Sequence, residues 1–224
     1  MSVLLMTVWL TGCVQEELGS TPSPAGNGIR FTLTVPDVNL PSVSSRTMTG
    51  AGTAKKEDEI ETVDILVFDA SKTPAVYLEW VTATGVTQDL ADNSTVSFSA
   101  KLPFTTASTC IVVVANRELD DIVSGFKKGV TTKVEAMEKM LHTQTGKWLA
   151  DGSTTGGYTR IPMYGEKVIN KITPSMEPIT GINMKRMLAR IDIHNNSVTS
   201  NFMVEEVYLA NYNTTGYIAP AWNT

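Results

Sequence analysis

Apolar and polar residues alternate without a break over Ile29–Val35. Ile29, Phe31, Leu33 and Val35 fall on one face, and Arg30, Thr32 and Thr34 on the other. A period of two predicts a half-buried strand. Pro36 ends it, because proline has no N–H to give to a ladder. The next run, IETVDILVFDA (Ile60–Ala70), puts Val63, Ile65 and Val67 on one face and Leu66 and Phe68 on the other. Apolar residues on both faces predict a strand inside a sheet with both sides covered. TCIVVVAN (Thr109–Asn116) reads the same way. STVSFSAKLP (Ser94–Pro103) alternates again, with Val96, Phe98, Ala100 and Leu102 together, and AVYLEWVTATG (Ala75–Gly85) follows a turn at Lys72-Thr73-Pro74.

The period then changes. Asn116 is placed to cap a helix over RELDDIVSGF (Arg117–Phe126). Thr132 and Glu135 have the spacing of a capping box ahead of VEAMEKML, where Val134, Met137 and Leu141 would share a face. Residues 143–160 are rich in Gly and Thr and read as a loop. Strand periodicity returns in INMKRMLARIDIHN (Ile182–Asn195), with Met187, Ala189, Ile191 and Ile193 on one face and Arg186, Arg190, Asp192 and His194 on the other. It returns once more in NFMVEEVYLANYN (Asn201–Asn213), where the adjacent Glu205 and Glu206 suggest a bulge. About seven strands with one short helical excursion predict a mainly β chain built as a β-sandwich.

Composition narrows the function classes. The 224 residues carry 18 Lys and Arg against 23 Asp and Glu, a formal net charge of −5. No basic face for nucleic acid is expected. Cys110, inside TCIVVVAN, reads as a buried, unreactive thiol. His142 and His194 have no metal-ligand company at a usual spacing, so neither a metal nor another cofactor is expected. The glycines of DGSTTGG do not follow a strand and open a helix, so no phosphate cradle is expected. Glu57, Asp58, Glu59, Glu61 and Asp64 follow Lys55-Lys56 and read as a solvated charged edge rather than a glycosidase pair. Trp80, Trp148 and Trp222 are scattered and read as core or rim residues. No catalytic constellation assembles, and the chain reads as a non-enzyme.

The first 13 residues, MSVLLMTVWLTGC, are too short for a permanent span, which needs roughly 20 residues, and read as the apolar core of a secretion signal. The ending Leu10-Thr11-Gly12-Cys13 resembles the bacterial lipobox. That resemblance implies a signal peptide over residues 1–12, cut before Cys13, whose thiol then carries lipid. The departure is the lack of a Lys or Arg ahead of the apolar core. Val14-Gln15-Glu16-Glu17 is similar to the surface-export signal of Bacteroidetes lipoproteins. Residues 13–28, which include GSTPSPAGNG, read as a flexible tether.

Taken in order, several stretches resemble the fimbrillins, the type V pilins of Bacteroidales. They are the lipobox at Cys13, the strand GIRFTLTV, Arg46-Thr47 in a loop, VDILVFDA, CIVVVAN, IPMYGE (Ile161–Glu166), MKRMLARIDI (Met184–Ile193) and VEEVYLANYNTTGYIAP (Val204–Pro220). The resemblance implies a transthyretin-like β-sandwich over residues 29–220, the N-terminal domain of such a subunit, with residues 221–224 opening a second domain that is missing or truncated. It implies export as an outer-membrane lipoprotein through Cys13, and cleavage between Arg46 and Thr47 by an arginine-specific protease. The strand bearing Ile29, Phe31, Leu33 and Val35 would then leave, and a strand from another fimbrial subunit would enter its groove. Lys55 and Lys56 are alternative cleavage points. The implied partners are other fimbrial subunits, the membrane before cleavage and an adhesion target. A monomeric surface lipoprotein that binds glycan or host protein through its sandwich loops, with Trp148 and Tyr158 in the longest loop, is the other reading.

Overall fold

Strands β2 (Val63–Asp69) and β6 (Thr109–Ala115) are apolar along almost their whole length, and every β6 residue is buried. The reason is that their sheet is covered on both faces. Val63, Ile65 and Val67 of β2, with Ile111 and Val113 of β6, face one core; Leu66 and Phe68, with Cys110, Val112 and Val114, face another. Burying a Val, Leu, Ile or Phe side chain is worth about 1.5–3 kcal/mol. The two cores therefore hold these strands from both sides.

The computed structural model describes residues 28–36, 58–89, 94–144, 160–188, 205–208, 210 and 213–220. The other strands are β1 (Ile29–Thr34), β3 (Val76–Thr82), β4 (Thr84–Gln88), β5 (Thr95–Ala100), β7 (Leu141–Thr143), β8 (Met163–Ile169), β9 (Ile179–Asn183), β10 (Lys185–Arg186) and β11 (Thr215–Tyr217), with helices α1 (Asp120–Val123) and α2 (Lys133–Glu138). A four-stranded sheet, β4-β5-β1-β9, packs on a five-stranded sheet, β10-β8-β6-β2-β3, and β11 pairs with β7 outside them. The inner core lies between the two large sheets. The outer core lies on the far side of the five-stranded sheet, where Leu119, Ala136, Met137, Met140, Ile218 and Ala219 cover it.

Each edge of the sandwich is sewn by a chain that changes sheets. On one side β3 ends in the five-stranded sheet and β4 begins in the four-stranded one, with only Ala83 between them; its N–H donates to the Val63 carbonyl at 2.9 Å. On the other side β9 passes into β10 through Met184, which is buried and donates to the Thr34 carbonyl at 2.8 Å. Corners of this kind tie the two sheets together along their sides.

The β-sandwich agrees with the sequence pattern, and so does the division of β2 between two faces. The strand count among the described residues is higher for two reasons: β3–β4 and β9–β10 are broken by sheet changes that periodicity does not register, and β7, β8 and β11 form where the sequence pattern predicted no strand. Other expectations are corrected. Asn116 caps no helix: it sits at φ 59°, α1 is one short turn, and Leu119 stands at its N-cap position without a side-chain bond. The capping box of α2 is present, with Thr132 Oγ1 accepting from the Glu135 N–H and the Glu135 carboxylate accepting from the Thr132 N–H. Its buried residues are Ala136 and Met137, whereas Val134 is exposed and Leu141 lies exposed in β7. No strand forms over 205–208, where Val207 and Tyr208 are exposed, so the bulge expected at Glu205-Glu206 is absent. The strand expected over Ile182–Asn195 turns at Met184. Met187 packs against the outer core, and residues 189–195 lie outside the described residues.

Gly165, in β8, lies tightly against Ile182 and Asn183 of β9 and against Met184. A Cβ there would sit 2.8 Å from Ile182 Cγ2, 2.8 Å from Met184 Sδ and 3.1 Å from the Asn183 carbonyl oxygen. Backbone and packed core on the far side cannot yield cheaply. Gly165→Ala is expected to destabilise the domain by about 1–3 kcal/mol. In urea titrations this would lower the midpoint and leave the slope unchanged.

Candidate functional site

β1 is the first strand of the sandwich, yet it lies inside a sheet. On one side it pairs antiparallel with β5 over six residues, from Ile29 opposite Ala100 to Thr34 opposite Thr95. On the other it pairs parallel with β9. The apolar face predicted from the alternation is buried almost completely: Ile29 is 7% exposed, Phe31 1%, Leu33 0% and Val35 1%. Phe31 stacks on Phe98, its partner on β5, with ring centroids 4.9 Å apart and planes within 8°. Aromatic pairs add about 0.5–1.5 kcal/mol beyond area burial.

The β9 side is irregular. Phe31 lies opposite Ile179 and Leu33 opposite Ile182, so β9 spends one more residue than β1 over the same span. Gly181, at φ 73°, is within this bulge. Glycine takes that backbone region without strain.

The end of β1 is held in a different way. Val35 N–H donates to the Ser94 carbonyl at 2.7 Å. Arg186, in β10, donates to the Pro36 carbonyl at 3.0 Å and also to the Asp58 carboxylate. The Arg186 and Asp58 side chains are only 14% and 12% exposed. Asp58 starts a short strap, residues 58–62, leading into β2. The strap is clamped through its backbone. Gln88 accepts from Ile60 N–H at 2.9 Å and donates to the Asp58 carbonyl at 2.8 Å. Asn116 accepts from Glu61 N–H at 3.0 Å and donates to the Glu59 and Ile161 carbonyls. The left-handed conformation of Asn116, which asparagine tolerates, lets its amide reach both. Arg160 pairs with Glu59 at 3.1 Å and with Glu61 at 2.8 Å.

The charged stretch is thus a solvated edge only in part: the Glu59 and Glu61 side chains reach solvent, and Glu57 lies outside the described residues. Asp58 and Asp64 are buried, and Asp64 accepts from Thr82 Oγ1 and from Leu119 N–H. A buried carboxylate survives only when paired, and each has its partners. The polar residues that clamp the strap, Gln88, Asn116 and Arg186, were not legible as such. Asn116 read as a helix cap, but its bonding partners are 45 to 57 residues away.

Of the residues expected to act, Ile29, Phe31, Leu33 and Val35 come together as one apolar strip. Cys13, Arg46, Thr47, Trp148, Tyr158, Trp222 and His194 lie outside the described residues. His142 sits in β7 against Gln144, and Trp80 is partly buried against the outer core. Among the described residues no His, Cys, Asp and Glu side chains group in a way that could hold a metal.

A second polar group sits under α2. Lys133 Nζ donates to Glu166 Oε2 at 2.5 Å, and the Tyr164 hydroxyl donates to the same oxygen. Burial alone would raise the Glu166 carboxyl, but the bonds from Lys133 and Tyr164 outweigh it and hold it below its usual 4.5. Burial, then the bond to Glu166, pushes the Tyr164 hydroxyl far up. Burial also raises the free Cys110 thiol beside them, against the influence of Lys133. An uncharged, buried thiol is unreactive. The group docks α2 on β8.

Residues 29–186, from the first residue of β1 to the last of β10, match the model of the major fimbrial subunit protein (FimA) family. The chain belongs to the FimA family. Among solved structures it is similar to a "putative cell adhesion protein" of Parabacteroides distasonis, at 16% identity and a TM-score of 0.41, over 72% of this chain and 46% of that one. The chain therefore spans less than half the length of that protein. No curated protein matches it. The FimA match takes in every strand of the two large sheets, β1 included.

The Glu166 group generates a pH prediction. A carboxyl held below its ordinary value stabilises the folded state above about pH 4.5, and that stabilisation is lost as pH falls through the lowered value. Glu166→Gln is expected to cost about 1 kcal/mol at pH 7, a modest figure because the side chain is 38% exposed. Melting curves of the wild type and variant should converge as the pH drops below 4.5.

Proposed function

We propose that this FimA-family chain is a subunit of a cell-surface fimbrium. It is exported as a lipoprotein on Cys13, cut between Arg46 and Thr47, and polymerised when a strand from another subunit replaces β1. The observation that carries this reading is the position of β1. It is the first strand among the described residues and an interior strand of its sheet. A single cut between Pro36 and Asp58 would therefore separate it covalently from every later strand. Arg46 lies in that interval.

Several features support the mechanism physically. Each wall of the slot also has an attachment apart from β1. β5 pairs with β4, which continues from β3, and β9 runs into β10, which pairs with β8. Departure of β1 would leave a cleft with unpaired N–H and C=O groups on both walls and an apolar floor. Such a cleft suits strand addition, in which main-chain bonds supply affinity and side-chain pockets supply selectivity. Four large apolar side chains leave the core with β1, each worth about 1.5–3 kcal/mol of burial, so the vacated state strongly favours refilling. Holding β1 in place until cleavage keeps the cleft closed during export. The lipid on Cys13 would anchor the uncut subunit to the outer membrane and part from the domain together with β1.

Sheared surface fibres are expected to yield Thr47 as the N-terminal residue of this subunit. Arg46→Ala should give exported monomer with at least a tenfold loss of polymer. Fibres built from chains with an intact N-terminus would sink the cleavage step. Cys13→Ala is expected to abolish palmitate labelling and to shift the uncut chain out of the membrane fraction. Retained labelling would refute the lipid assignment.

A further inference from the structure

We propose that Arg186 sets the register of whatever strand fills the β1 slot, by capping the slot's end and binding the backbone carbonyl at the Pro36 position. This rests on the strand-exchange reading above and adds to it a residue that decides how far a strand enters.

Alternation alone does not fix register. A slip of one residue turns the apolar face outward, but a slip of two returns it to the core. Ile29, Phe31, Leu33 and Val35 are all apolar, so a two-residue slip would still bury apolar side chains. Something without a two-residue period must distinguish the frames. Arg186 is such a group. It donates to the Pro36 carbonyl at 3.0 Å. A slip of two residues carries that carbonyl about 7 Å along the strand, far beyond hydrogen-bond reach.

Arg186 can act as a stop only if it stays where it is when β1 goes, and three observations say that it does. Its backbone pairs with Met163 of β8, in the other sheet. Its guanidinium is bound to Asp58, where both side chains are largely buried. Asp58 belongs to the strap that Gln88 and Asn116 clamp through the backbone. The cap and its support thus lie wholly on the part of the chain that comes after Arg46. An arginine suits the position because its planar fork serves two acceptors at once and stays charged at every physiological pH, whereas a lysine offers one compact point charge. The fitting occupant is a strand of another fimbrial subunit with apolar residues at the 29, 31, 33 and 35 positions, a flat ring at 31 to stack on Phe98, and a main-chain carbonyl at 36. The cap reads backbone, so it asks for no particular side chain there.

The test has two arms. In the intact chain, native-state hydrogen exchange is followed at Leu33, Thr34 and Val35 and, as a control, at Ile111–Val114 of β6. Arg186→Ala is expected to speed exchange at the first set about tenfold. Arg186→Lys, which keeps the ion pair with Asp58, should do the same there and leave β6 at the wild-type rate. Unchanged exchange at Leu33–Val35 in Arg186→Lys, or equal acceleration in β6, overturns the proposal. In the second arm the chain is cut with an arginine-specific protease and offered two amidated peptides, residues 28–36 and 28–35, of which only the first supplies the Pro36 carbonyl. The longer peptide should displace the native strand about tenfold better in the wild type and no better in Arg186→Lys. An equal preference in both proteins also overturns it. Failure of the protease to produce Thr47 as the new terminus, or of the cut chain to take up either peptide, counts against the strand-exchange reading instead. The exchange arm then still decides the role of Arg186 toward β1.

Discussion

One strand, hydrogen-bonded on both sides and buried on one face, holds the four-stranded sheet together. β1 is the only link between β5 and β9 within that sheet. Its four inward side chains fill the middle of the inner core, where Phe31 stacks on Phe98. The strand contributes both main-chain bonds and apolar area, yet it is the element nearest to being covalently independent, because every other strand of the sandwich comes after it. Strong non-covalent attachment and weak covalent attachment meet in this one element, which is the physical basis of the proposed strand exchange.

The neighbours of β1 are also tied to the rest of the fold. β3 becomes β4 through Ala83, and β9 becomes β10 through Met184, so each wall of the slot is tied to the opposite sheet. The five-stranded sheet has its own second core under α1, α2 and Ile218-Ala219. β2, β6 and β8 thus keep one covered face whatever happens in the slot. The strap at residues 58–62 is fixed by side chains rather than by a ladder. Its bonds reach β4, β10 and the loop after β6, which spreads its support over both sheets.

Legibility tracked the range of the interaction. The strip Ile29, Phe31, Leu33 and Val35, the two-faced character of β2 and β6, and the α2 capping box all rest on neighbours within a few residues, and all were readable. Asn116 misled because its local signal fits a helix cap, whereas its amide is used to bridge Glu59, Glu61 and Ile161 across 45 to 57 positions. Val134 and Leu141 misled because a helix of six residues is too short to impose its period on the residues beyond its end. Asp58 read as an exposed acid beside two lysines, but Arg186, 128 residues later, turns it into half of a largely buried pair.

By itself, the sequence determined that the chain is a β-sandwich, that its first strand presents an unbroken apolar face, and that a lone arginine comes after that strand. These are properties of local pattern, since side-chain period and turn residues act over a few positions. Only the tertiary structure decided that the first strand runs between β5 and β9, antiparallel to one and parallel to the other, and that Arg186 closes its end. Strand order depends on which distant strands bury each other's faces and exchange main-chain bonds. A backbone N–H or C=O is the same at every position, so no residue type announces its partner.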